Sequence, residues 1–297
     1  MYYIIGFAVL VAVLLVLYIK AETLKYNKNI TAVKKIKITI SNESVYRKLS
    51  KAIQIKTISH SDPGKINYDE FIKFRKMLKQ QFPKVHSILK LEVVNNYSLL
   101  YKWEGYDQKL KPGLFMAHID VVPIETGTEP EWVHPPFSGK IADGFLWGRG
   151  SMDIKIQLIT MLEACENLIE KGVRPERTLY FAFGHDEETN GKNGALKIVE
   201  KLKSENIELL FVNDEGGCIN RGNLKSIKSP VAFIGIAEKG FLNLQIKIMG
   251  KGGHSSTPPE HSTLGIAARA ICKLENKKMK VRFTDITKKI RGYICVN

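Results

Sequence analysis

The sequence predicts an α/β domain, a mostly parallel sheet with helices on both faces, joined to a partial α+β unit. Between residues 91 and 212, short apolar runs bounded by turn residues alternate with stretches of helical periodicity, the pattern of βαβ units. From residue 229 onward the spacing changes to two alternating strands and one helix, a small unit of its own. Several of the apolar runs in the first region end in a histidine or in acids, where sheets of this kind carry their chemistry.

The chain opens on Met1–Ile19, which holds no charged residue. As a helix these 19 residues would reach ~28 Å, close to the ~30 Å hydrocarbon core of a bilayer. A signal peptide has a shorter apolar stretch after a basic residue, and none precedes this run, so residues 1–20 read as a transmembrane anchor in preference to a signal peptide. Lys20, Lys25 and Lys28 favour a cytosolic C-terminal side. The sequons at Asn29, Asn42 and Asn96 favour the lumenal one, and these residues leave the topology open.

Residues 21–43 are Lys- and Asn-rich, with Ile36, Ile38 and Ile40 alternating, and read as a tether or first strand. The sheet domain then spans 44–228. Val45, Leu49, Ala52 and Ile53 give 44–55 a helical face; Leu91–Val94 and Ser98–Tyr101 read as strands, and Pro112–Ala117 as a buried strand. Ile156–Lys171 is a helix stopped by Gly172, Thr178–Phe183 a strand, Asn193–Ser204 a helix and Glu208–Val212 a strand. The second unit, 229–297, offers strands Val231–Ile236 and Phe241–Met249 and the helix Ser262–Leu274.

With 297 residues, 44% hydrophobic and 25% charged, the composition is globular. The formal charge of +15 is carried mostly by lysines spread along the chain. No arginine-rich helix, stacking motif or zinc-finger spacing concentrates them, so they describe a solvated surface and no nucleic-acid partner. Cys165, Cys218, Cys272 and Cys295 are too scattered for a disulfide scaffold or a thiolate metal site.

The chemistry lies in four segments. Met116–Pro123 (MAHIDVVP) sets His118 at a strand end, with Asp120 two residues on, able to orient the ring from behind. Trp147–Lys155 (WGRGSMDIK) brings Asp153 to the start of a helix, where it reads equally well as an N-cap. Phe181–Glu188 (FAFGHDEE) ends an apolar strand in three consecutive acids, and Asn213–Gly217 (NDEGG) ends another in two. Partly buried like charges are costly unless a cation neutralises them. Imidazole and carboxylates together suit zinc, manganese or cobalt.

Taken in this order, and followed by Gly252–Pro259 (GGHSSTPP), these segments resemble the M20 metallopeptidases over roughly Leu49–Leu274. The carboxypeptidase S and N-acyl-amino-acid hydrolase (aminoacylase-like) branch is the most similar. The resemblance implies a zinc-exopeptidase-like fold with an inserted lid and dimerisation domain. It also implies two Zn2+ per active site, a small peptide or N-acyl amino acid as substrate, a possible homodimer through the lid, and a lumenal or extracellular setting, anchored or secreted.

Residue by residue, it implies that His118 binds one zinc, Asp153 bridges both and Glu188 binds the second. Asp120 supports His118, and one of Asp214 and Glu215 completes the first zinc, strand register favouring Glu215. Glu187 is then the general base, beside a water whose pKa two zinc ions lower toward ~7. His254 reaches a neighbouring subunit's site and polarises the scissile carbonyl. Two departures stand out: Ile154 occupies a position where the family usually has a second Asp, and no histidine follows His261 to give the second zinc its C-terminal ligand. The catalytic domain is therefore expected to be incomplete. The alternative reading is a truncated, inactive, membrane-tethered homologue acting in binding or assembly.

Overall fold

The structure is a computed structural model that describes residues 2–27, 42–220, 230–285 and 287. Helix α1 (Tyr2–Asn27) runs through the expected anchor and into the expected tether, the rest of which lies largely outside the described residues. Within it Tyr2–Glu22 is long and apolar enough to cross a membrane. Its apolar side chains are exposed on all sides, so it has no single stripe to lay on a core.

The chain divides into two units, one of them Lys37–Gly216. In it α2 (Asn42–Ile53), α3 (Tyr68–Gln81) and α4 (Pro83–Ile88) precede the strands β1 (Lys90–Val94), β2 (Ser98–Trp103) and β3 (Gly113–His118). The small hairpin β4 (Lys140–Ala142) and β5 (Phe145–Trp147) follows, then α5 (Ile156–Glu170), β6 (Leu179–Gly184), α6 (Ala195–Ser204) and β7 (Phe211–Asn213). The central sheet has the order β1-β2-β6-β3-β7. Strand β2 runs antiparallel to both its neighbours while β3 is parallel to β6 and to β7, so β2 alone opposes the common direction.

The α/β expectation is met, and the strand alternation explains it. On β2 and β6, Leu99, Tyr101, Phe181 and Phe183 face a core with Ala52, Ile53, Phe74, Leu158 and Leu162 from the N-terminal helices and α5. Leu100, Tyr180 and Ala182 point the other way, against Ile198 and Leu202 of α6. Helix α3 was not anticipated, although Phe71, Phe74 and Leu78 carry its spacing and are all buried. Pro83 then starts α4, at the position where a missing N–H costs nothing. Strand β7 is shorter and later than expected, and its Phe211 ring crosses Gly113, where a Cβ would lie 2.3 Å from it. Asn95 and Asn96, at φ 48° and 70°, make the tight turn between β1 and β2.

The other unit combines Met1–Ile36 with Gly217–Asn297. Its β8 (Cys218–Asn220) pairs antiparallel with β9 (Val231–Phe233). Helix α7 (Thr263–Asn276) begins where expected, capped by Ser262, whose hydroxyl accepts the Gly265 amide at 3.0 Å. Strand β9 ends at Phe233, three residues before the expected Ile236. Phe241–Met249 has strand alternation but no ladder partner among the described residues. Alternation marks a face to be covered, whereas a strand also needs a neighbour for its backbone groups.

Candidate metal centre

The parallel trio β6-β3-β7 delivers its C-terminal ends to one place. His118 closes β3 opposite Gly184 of β6, so the chain leaving β6 carries Glu187 and Glu188 past the imidazole. The chain leaving β7 carries Asp214 and Glu215 to the same edge. Asp153 arrives from the turn Ser151–Lys155 ahead of α5, with non-helical backbone at Asp153 and Ile154 joined by a cis peptide. Lys155 holds the N-cap position of α5, so Asp153 is not the N-cap that its place in the sequence suggested.

Nε2 of His118 lies 3.0 Å from Oδ1 of Asp153, 3.6 Å from Oε1 of Glu215 and 3.9 Å from Oε2 of Glu187. Ligand atoms of His118, Asp153 and Glu188 lie within 4.8 Å of one another, as do those of His118, Glu187 and Glu215. Asp214 stays at the rim, its Oδ1 accepting the Glu215 amide at 2.9 Å. Asp120 is wholly buried and does more than back the ring. Its Oδ1 sits 3.3 Å from Nδ1 of His118, and its two oxygens accept the amides of Glu187 and Glu188, each at 3.1 Å. Nδ1 of His118 also donates to the Asp120 carbonyl at 3.0 Å, so one residue fixes the imidazole and both strand-end glutamates.

The charges are strained without a cation. Burial lifts Glu215, and Asp153, Glu187 and Asp214 add to the effect against the opposing pull of His118, leaving its pKa at about 7. Burial also raises Glu187 and Glu188. For His118 burial acts downward, but the Asp120 hydrogen bond and charge, with Glu215 and Glu187, outweigh it and hold the ring at about 10. A carboxyl raised in the folded state binds its proton more tightly there than in the unfolded chain. Its contribution to stability is complete below the ordinary 4.5 and is lost as pH climbs to about 7. In metal-free protein, wild type is expected to lose stability relative to Glu215→Gln across that window, checked by urea midpoints at stepped pH. A constant difference would contradict the crowding.

The donors fit hard divalent ions: one imidazole, several carboxylates and no thiolate. His118 belongs to both groups, but its Nδ1 faces Asp120, so Nε2 serves one ion only.

Compared with known proteins, residues 114–289 match the model of peptidase family M20/M25/M40, more than half of the chain. The chain belongs to this family. The M20 chain is 43% identical to probable carboxypeptidase S-like 2 of Dictyostelium discoideum over 263 residues, 86% of this chain and 50% of that protein. It is 38% identical to the N-fatty-acyl-amino acid synthase/hydrolase PM20D1 of Xenopus tropicalis, over 95% of this chain and 55% of the relative. Carboxypeptidase S of Saccharomyces cerevisiae is 38% identical over 82% of this chain and 44% of its own length. The M20 chain thus spans about half the length of the curated relatives it matches.

Two further features of this M20 chain concern residues near or expected at the site. His254 lies in the other unit, exposed, with its Nδ1 accepting the Ser256 amide at 3.2 Å, which places the proton of the neutral ring on Nε2. Sequence reasoning missed Lys155, wholly buried next to the Asp153 turn, because lysine in a charged loop reads as surface. Beside the cluster a cleft of about 310 Å³ is lined by His118, Glu187, Asp214 and Glu215 and by apolar Met116, Ala182, Ala195 and Ile198.

Proposed function

We propose that this chain hydrolyses an amide bond in an N-acyl amino acid or small peptide, with two zinc ions held by His118, Asp153, Glu188 and Glu215. The observation that carries the reading is the convergence of one oriented imidazole and four carboxylates, from separate strand ends and one turn, in two groups that share His118 and whose ligand atoms lie within 4.8 Å of one another. The relatives' names, carboxypeptidase S and N-fatty-acyl-amino acid synthase/hydrolase, support the substrate class. Bound zinc would supply Lewis acidity and acidify a water toward neutrality.

The chain's own groups do the rest. Asp153, beside both His118 and Glu188, would be the carboxylate shared between the ions, and Asp120 keeps His118 turned with Nε2 outward. Glu187, its main chain held by Asp120, takes the proton of the attacking water and returns it to the leaving amine, and burial suits it to this by raising its pKa. The apolar part of the cleft receives the substrate's acyl or side chain. His254 of a second copy offers its Nε2 proton to the developing oxyanion, which makes the working form a homodimer through the second unit. Helix α1 anchors or exports the protein, with the remainder on the lumenal or extracellular side.

The test is turnover by the purified protein on a panel of N-acyl amino acids and dipeptides, with zinc, after chelation, and after zinc is restored. Hydrolysis of one class that follows zinc is expected. No turnover by folded, zinc-saturated protein would overturn the reading.

A further inference from the structure

We infer that Lys155 is a positioning residue, pinning the turn that carries Asp153 to the same strut that holds the His118 arm. The strut is the end of α2 and the chain just after it. The Lys155 ammonium donates to the carbonyls of Ala52 at 3.0 Å and Ile55 at 2.8 Å, and lies 5.1 Å from the centre of the Phe74 ring. Ala52 lies in the last turn of α2 and Ile55 just beyond it; each carbonyl accepts one main-chain amide, from Ile55 at 3.3 Å and Thr57 at 3.0 Å, and Lys155 supplies the second donor to both.

A few residues later the same segment grips the other arm. Thr57 donates its hydroxyl to the Ile119 carbonyl at 2.5 Å and accepts the Val121 amide at 3.0 Å, and the Ser59 amide reaches the Val121 carbonyl at 3.1 Å. Residues 119–121 carry Asp120, and with it His118. Residues 52–59 therefore join both halves of the cluster.

The turn needs such an anchor. Asp153 is 70% exposed at its side chain, and backbone angles of −120° and 95° remove it from the helix behind it. At the turn's other end Gly150, at φ 82°, sits so close to Val121 that a Cβ would lie 2.6 Å from that side chain and 3.4 Å from the Lys155 stem. The Lys155 amide also donates to the Gly150 carbonyl at 3.0 Å. Removing the ammonium takes away the two hydrogen bonds that tie the turn to the strut and frees the turn, so that Asp153 no longer keeps its place opposite Nε2.

The inference rests on reading Asp153 as a cation ligand, and its test separates the two. Lys155→Met keeps the length and removes the donors; Lys155→Gln keeps part of them and carries the test if the first does not fold. Leu202→Ala, a cavity under α6 in the separate cluster on the other face of the sheet, supplies a loss of stability without a loss of anchoring. On metal-free full-length protein, amide exchange at residues 151–154 is expected to rise about tenfold or more in the Lys155 variants and to stay at the wild-type level in Leu202→Ala. Zinc affinity, from competition with a chelating dye, is expected to fall about 10–100-fold in Lys155→Met and less in Lys155→Gln. Unchanged exchange in the Lys155 variants, or equal changes in Leu202→Ala, would overturn it. A wild type that takes up no zinc would contradict the ligand reading instead, and exchange alone would still decide this one.

Discussion

Asp153→Ala is expected to abolish cation uptake by the cluster. Asp153 stands 3.0 Å from the outward nitrogen of His118 and shares a ligand group with Glu188, so it is the carboxylate placed to join the imidazole to the β6 end. A ligand that binds only the folded state raises its stability by about 2.7 kcal/mol at a hundredfold excess over Kd. Wild type should show such a zinc-dependent rise in unfolding midpoint, and Asp153→Ala should show none. The same change removes one of the negative charges that press on Glu215 and Glu188, so both carboxyls should titrate lower in the variant. Zinc stabilisation that survives the substitution would sink the bridging assignment.

Glu187→Gln is expected to cut turnover by about 10²–10⁴-fold, the usual worth of a positioned general base, while leaving the zinc content unchanged. The zinc content matters because Glu187 lies within 4.8 Å of the ligand atoms of His118 and Glu215, close enough to be a ligand itself. Glutamine keeps the main-chain bond to Asp120 and most of the side-chain volume, so lost turnover with retained zinc isolates the proton transfer. Lost zinc would move Glu187 into the ligand set, and full activity would remove it as the base.

Much of the site was legible in the sequence because its residue types conflict with their surroundings. His118, Glu187, Glu188 and Glu215 follow apolar strands, and polar groups are placed at such ends for a purpose that packing does not supply. The sheet domain was legible for a similar reason, since period-two runs alternate with helical ones. What the sequence withheld is non-local. The order β1-β2-β6-β3-β7, which makes three strand ends meet, is written in no single segment. Asp120 was read as support for His118, but its bonds to the Glu187 and Glu188 amides involve main-chain groups that leave no residue signature. Lys155 finds its acceptors about a hundred residues earlier in the chain, and without them it looks like any surface lysine. Phe241–Met249 shows the opposite case, a clear alternation without a ladder among the described residues.

The central claim is that His118, Asp153, Glu188 and Glu215 form a divalent-metal centre. Its most direct test is the zinc content of the purified, dialysed protein by elemental analysis, with Asp153→Ala prepared alongside. The account predicts at least one equivalent of zinc per wild-type chain, released by chelator, and none in the variant. A folded wild type that retains no zinc, or a variant that retains as much as wild type, would contradict it.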